Sequence, residues 1–66
     1  MNRELTQLIV TMEQMERLIR ALGDLKANVL PQNPALFATM AEGPLEDLER
    51  LRTDLRARID DLQPTA

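Results

Sequence analysis

Residues 5–29 read LTQLIVTMEQMERLIRALGDLKANV, and this stretch decides the fold. Its apolar residues recur at alternating intervals of three and four, broken only where Lys26 takes the next position, which places their side chains along one side of an α-helix. We therefore predict a helix from about residue 2 to about residue 29, with a heptad pattern typical of packed helices. The positions that carry the pattern are Leu5, Leu8, Met12, Met15, Ile19, Leu22 and Val29.

Three more apolar residues widen this side of the predicted helix. Ile9, Leu18 and Leu25 flank the first series, and at about 100° per residue they extend the apolar sector to roughly half of the helix circumference. A helix with so wide an apolar face usually contacts more than one neighbour.

A second long helix is predicted from about residue 44 to about residue 62. Gly43-Pro44 opens it, because proline has no N–H and suits the first helical turn. Its apolar stripe covers only about 120° of the helix circumference, so a single neighbour can almost cover it. The stripe consists of Leu45, Leu48, Leu51, Leu55, Ile59 and Leu62.

The connection between the two long helices contains two prolines, Pro31 and Pro34. Helix is disfavoured just before each of them. Asn33 is a suitable N-cap, so a short helix is predicted over residues 34–41, ended by Gly43. The apolar side chains of this short helix either cover the end of the hairpin as a lid or form a clasp for a partner. They are Leu36, Phe37 and Met40.

Two long helices joined by a compact connection return antiparallel. The sequence thus predicts a single all-α domain over residues 1–66, an antiparallel helical hairpin with a short helix in its connection. Because pairing leaves part of the first helix uncovered, we predict that two chains dimerise into a four-helix bundle, with the first helices together and the second helices at the outer edges. The expected partner-binding residues are Leu5, Leu8, Ile9, Met12, Met15, Leu18, Ile19, Leu22 and Leu25.

The residue types needed for most catalytic chemistry are missing from this chain. It contains no cysteine, histidine, tyrosine, tryptophan or serine. Adjacent carboxylates on a helix diverge by about 100° and cannot converge on one substrate. The only glycines are Gly23 and Gly43, so there is no glycine-rich phosphate loop. We therefore expect no enzymatic activity, no metal, no cofactor and no small-molecule substrate.

Charge and hydropathy narrow the kinds of partner. Eleven acidic residues are interleaved with eight basic ones, for a net charge of −3, which disfavours broad adhesion to nucleic acid or to an anionic membrane. The longest apolar run, Leu8-Ile9-Val10, is far too short for a membrane span. The absence of cysteine fits a reducing compartment, and the first residues lack the signal-peptide pattern. A cytoplasmic protein with a protein partner is predicted.

Three functions are compatible with this pattern. The first is a self-associating structural or adaptor protein. The second is a small chaperone that completes a bundle with a helix of another protein; in size and hairpin plan the chain resembles the helical co-chaperones of bacterial type III secretion systems, which implies a chaperone role. The third is a nucleic-acid regulator of the Rop type, which is disfavoured because Arg17 and Arg20 each follow a glutamate by one helical turn.

Overall fold

The computed structural model describes residues 3–62. It contains two helices, α1 (Arg3–Asn28) and α2 (Pro34–Leu62), which pack against each other. Residues 29–33 reverse the chain direction between them. The predicted helical hairpin is therefore confirmed, while the parts of the prediction that concern residues 1–2 and 63–66 lie outside the described residues.

Hydrogen bonds of the turn set the ends of both helices. At the end of α1, the amide of Leu30 donates to the carbonyl of Leu25 at 3.0 Å. At the start of α2, the amide of Leu36 donates to Oδ1 of Asn33 at 3.0 Å, which is the bond that an N-cap side chain makes. Pro34 follows as the first helical residue, where its missing N–H costs nothing. The prediction of Asn33 as an N-cap is confirmed.

The predicted break at Gly43 is wrong, because α2 is one continuous helix with Pro44 inside it. The expected short helix over residues 34–41 and the expected long helix over residues 44–62 are parts of this single element. Proline removes one backbone hydrogen bond, but its φ is helical. The glycine before it has no Cβ to crowd the proline ring. Packing of both halves of α2 on α1 outweighs the cost of roughly 3 kcal/mol for an interior proline.

Each helix meets the other along one heptad series. All these residues are buried or half-buried, and their spacing alternates between three and four. On α1 they are Leu8, Thr11, Met15, Leu18, Leu22, Leu25 and, just beyond its end, Val29. On α2 they are Phe37, Ala41, Pro44, Leu48, Leu51, Leu55 and Arg58.

The series on α1 that contacts α2 differs from the one that the sequence pattern emphasised. Leu5, Met12 and Ile19 lie exposed, and the positions facing α2 in their place are those of Thr11, Leu18 and Leu25. Two heptad series overlap on this helix and share the positions of Leu8, Met15 and Leu22. The second helix packs on only one of these two series, because a single neighbouring helix covers about half of so wide an apolar sector.

The interior of this hairpin is thin. Within residues 3–62, Thr11 and Ala41 are the only buried side chains, and no large one is fully buried. The hairpin measures 51 × 21 × 15 Å. Its radius of gyration of 15.4 Å exceeds the roughly 11 Å of a compact domain of this length. Two helices side by side thus leave most large apolar side chains partly in contact with water.

Candidate interaction surface

Two columns of side chains lie on the same side of the hairpin. On α1 the column is formed by residues one heptad apart, Leu5, Met12 and Ile19; on α2 it is formed by Leu45, Arg52 and Ile59. Each column lies roughly a quarter turn away from the line of contact between the helices. We call the opposite side of the hairpin the polar side. An open groove on it is lined by Gln14, Arg17, Leu18, Asp47, Arg50, Leu51 and Asp54.

The register of the helices brings the two columns level. Thr11 Oγ1 donates to Asp54 Oδ2 at 3.1 Å, and in an antiparallel pair each step along α1 is matched by a step back along α2. This register produces three layers across the hairpin. They are Leu5 with Ile59, Met12 with Arg52, and Ile19 with Leu45.

Five of these six side chains are apolar and exposed. The exposed fractions are 46% for Leu5, 47% for Met12, 58% for Ile19, 54% for Leu45 and 36% for Ile59. Ile9 is also exposed and lies beside the α1 column. We call these six apolar residues, with Arg52 in their midst, the apolar face. Contiguous exposed apolar surface of this kind marks interaction sites in soluble proteins.

The nine residues predicted to bind a partner fall into two groups. The first group is exposed on the apolar face and consists of Leu5, Ile9, Met12 and Ile19. The second group is half-buried and faces α2, so most of its surface is already used within the hairpin. It consists of Leu8, Met15, Leu18, Leu22 and Leu25. Partner binding by the first group stays a prediction.

The contribution of α2 to this surface was missed by sequence reasoning. Leu45 and Ile59 were assigned to a stripe that one neighbour covers, yet both are exposed. The sequence feature that could have indicated this column is the spacing of Leu45 and Ile59, which lie two heptads apart with Arg52 midway between them. This spacing matches Leu5, Met12 and Ile19 on α1, but only the observed register shows that the two series are level.

The three residues predicted as a lid or clasp do not act together. Phe37 is half-buried in the series that faces α1, whereas Leu36 and Met40 are both exposed. By helical periodicity the latter two lie toward the polar side of the hairpin, away from the apolar face. Of the three side chains Phe37 alone faces α1, and both the lid and the clasp stay predictions.

A polar network in the contact between the helices fixes their register. Thr11 is buried and donates its hydroxyl to Asp54 Oδ2, and Arg58 Nε donates to the same oxygen at 2.7 Å. The Arg58 guanidinium lowers the pKa of the Asp54 carboxyl below its ordinary 3.8; partial desolvation opposes this, and the Thr11 hydroxyl adds to it. Sequence reasoning missed Thr11, although it lies between Leu8 and Met15 at core spacing.

The charged residues on α2 mostly pair with each other. Arg50 pairs with Asp47, Arg56 with Asp60 at 3.6 Å, and Arg52 Nη1 lies 3.5 Å from Glu49 Oε1. The glutamates that precede Arg17 and Arg20 by one turn, Glu13 and Glu16, form no ion pair with them among the described residues. Arg17 and Arg20 are thus not neutralised in the way the sequence suggested.

Comparison of the chain with protein-family models, with curated proteins and with solved structures found no match. Neither of the two described helices is long and apolar enough to cross a membrane. Across residues 3–62, no three histidine, cysteine, aspartate or glutamate side chains are grouped so that they could hold a metal ion. The apolar face is the strongest candidate site in the part of the chain that the structure describes.

Proposed function

We propose that this protein is a non-enzymatic helical interaction protein that works by self-association, with two hairpins forming a four-helix bundle. The observation that supports this proposal is the apolar face, which stays exposed although the hairpin has almost no buried core. A chain of 66 residues without cysteines, and therefore without disulfides, commonly gains its missing stability by association.

The exposed surface of the chain exceeds that of a compact protein of the same mass by more than one partner's share of a standard interface. The hairpin exposes 5355 Å², whereas a compact protein of this mass exposes about 4,200 Å². The surplus of roughly 1,100 Å² exceeds the roughly 800 Å² that each partner buries in an interface of standard size. Association through one face would therefore bring the exposed area per chain into the range of compact proteins.

Two-fold symmetry suits a face of this composition. In a two-fold dimer the same patch is used on both subunits, so each apolar residue of the face meets apolar residues of the second copy. Each copy contributes both helices, because Leu45 and Ile59 of α2 share the face with the α1 residues. The expectation that α2 lies only at the outer edges of the bundle is therefore replaced by an equal share of both helices.

The alternatives differ in what covers the same face. A chaperone would receive a helix of another protein there, in place of the second copy. A regulator of nucleic acid would instead need a basic surface. The groove on the polar side does not supply one, since Arg17 and Arg50 stand beside Asp47 and Asp54.

A pair of matched substitutions tests the proposal. Ile19→Asp places a carboxylate in the layer that Ile19 shares with Leu45 on the apolar face, where burial of an unpaired charge is costly, so we expect the dimer dissociation constant to rise at least about a hundredfold. Val10→Asp is the control, because Val10 is also exposed and apolar but lies on the opposite edge of α1. Sedimentation velocity measures both. Equal effects of the two substitutions would contradict the proposed location of the interface.

A further inference from the structure

We propose that α1 of one copy packs antiparallel on α2 of the second copy, and that Glu16 of each copy pairs with Arg52 of the other. This inference rests on the proposed self-association and specifies its arrangement. Two observations lead to it: a guanidinium in the middle of an apolar face, and a carboxylate at the rim of that face that forms no ion pair within residues 3–62.

Arg52 is the charged residue in the middle layer of the apolar face, beside Met12; the next position of the α1 column, one heptad beyond Ile19, is Lys26 at the end of that helix. The Arg52 side chain is 76% exposed and its only described ion pair is the one to Glu49, which is equally open to water. When a second hairpin covers the face, this guanidinium loses water and needs a carboxylate close to it. Glu49 lies farther toward the outer edge of α2.

Glu16 supplies the complementary charge. It lies on α1 between Met12 and Ile19, on the same rim of the apolar face as Ile9, and is exposed. In the described part of the chain it makes no ion pair. It points about 130° away from the line of contact with α2, so Glu16 and Arg52 of one hairpin cannot meet each other. A contact between them requires two copies.

Packing α1 on α2 of the second copy brings these two side chains together. In this arrangement the two-fold axis runs parallel to the helices. Each layer of one hairpin is therefore at the same height as the identical layer of the second copy, for Leu5, Met12 and Ile19 alike. Helical side chains lean toward the N-terminus of their own helix. Because the two helices are antiparallel, Glu16 and Arg52 lean toward each other and span the offset of about one turn between them.

In the packing of α1 on α2, Glu16 is level with Glu49 of the second copy, but these two side chains lean apart and Arg52 lies between them. The other two-fold arrangement, α1 on α1, brings like charges together inside the covered face. It brings Glu49 level with Arg56 of the second copy, but it also places the two Arg52 side chains next to each other in the middle layer. In that arrangement Glu16 lies beside Ile9 of the second copy and therefore meets no arginine there. Like charges in a covered interface are strongly unfavourable, whereas the packing of α1 on α2 separates the two Arg52 side chains across the bundle diagonal.

Charge reversal tests this arrangement. Glu16→Arg and Arg52→Glu each replace attraction by repulsion at two symmetric sites, so each should raise the dimer dissociation constant about tenfold at low salt. The double variant Glu16→Arg/Arg52→Glu restores opposite charges, and its dissociation constant should return to within about threefold of the wild-type value. Sedimentation equilibrium gives the constants, and circular dichroism verifies that helix content is unchanged.

Matched controls come from the same two helices. Glu13→Arg reverses an exposed glutamate of α1 outside the apolar face. Arg50→Glu reverses an arginine as exposed as Arg52 and ion-paired at the same i,i+3 spacing, but on the polar side. Both should leave the dissociation constant nearly unchanged.

The outcomes separate this inference from the proposed function. Losses that add in the double variant would overturn the pairing and the packing of α1 on α2, while a wild-type dimer would still support self-association. A wild-type chain that remains a folded monomer would overturn both.

Discussion

At the scale of single residues, Thr11 and Asp54 explain why the helices adopt their register. Thr11 is the buried polar residue in an otherwise apolar series, and its hydroxyl reaches a carboxylate that also binds Arg58. A shift of α2 by one turn would leave the Thr11 hydroxyl buried without this acceptor, at a cost of about 1–3 kcal/mol. The network therefore selects one register among several that apolar packing alone would allow.

Stability should depend on pH through Asp54. Because its pKa is lower in the folded chain than its ordinary value of 3.8, the unfolded chain takes up this proton more readily. The stabilisation is complete above about pH 5 and is lost as the pH falls below about 4. Urea unfolding at pH 7 and pH 3 should show that Asp54→Asn has a smaller loss of stability on acidification than the wild type.

The control for this experiment is Asp24→Asn, which removes an exposed carboxylate that forms no ion pair in residues 3–62. This variant should lose stability on acidification as the wild type does. An Asp54→Asn variant with the full wild-type loss would show that the network with Thr11 and Arg58 does not stabilise the fold.

At the level of the helices, the structure differs from the sequence-based prediction because α2 continues through Gly43-Pro44. From the sequence alone, Pro44 indicates the start of a helix, because proline is unfavourable inside a helix and is tolerated in the first turn. The compensating contacts of Phe37 and Ala41 on one side of it, and of Leu48 on the other, depend on where α1 lies. Local propensity was overridden by packing, which the sequence pattern does not contain.

The role assigned to Gly43 leads to a prediction. A Cβ at residue 43 would meet nothing within 4 Å outside its own helix and neighbours, so glycine is useful there only because the residue before proline is crowded in a helix. In a Pro44→Ala background, Gly43→Ala should stabilise the protein by about 1 kcal/mol. In the wild-type background the gain should be clearly smaller, or reversed. Equal gains in thermal or urea unfolding would refute this role.

Element by element, the sequence is informative about α1 up to a definite point. Periodicity correctly predicts the helix and the width of its apolar sector, and the capping rules predict Asn33. Periodicity cannot decide which half of the sector meets α2, because Leu8, Met15 and Leu22 belong to both series. That choice depends on Thr11 and Asp54, which lie 43 residues apart, and a pattern of apolar residues does not register such a contact.

At the scale of the whole molecule, the hairpin has two unlike sides. One side carries the groove with Arg17, Asp47, Arg50 and Asp54, and the other carries the apolar face. The sequence indicated that the helices cannot cover each other and assigned the excess to α1 alone. The structure divides the excess between α1 and α2, because the register brings Leu45 and Ile59 level with Ile19 and Leu5.

Sedimentation equilibrium of the wild-type chain from about 1 to 100 μM shows whether a second copy covers the apolar face. A two-fold dimer predicts a mass that rises with concentration toward twice 7.5 kDa, because association follows mass action. A chain that keeps its helix content and stays at 7.5 kDa throughout this range would contradict the proposed self-association.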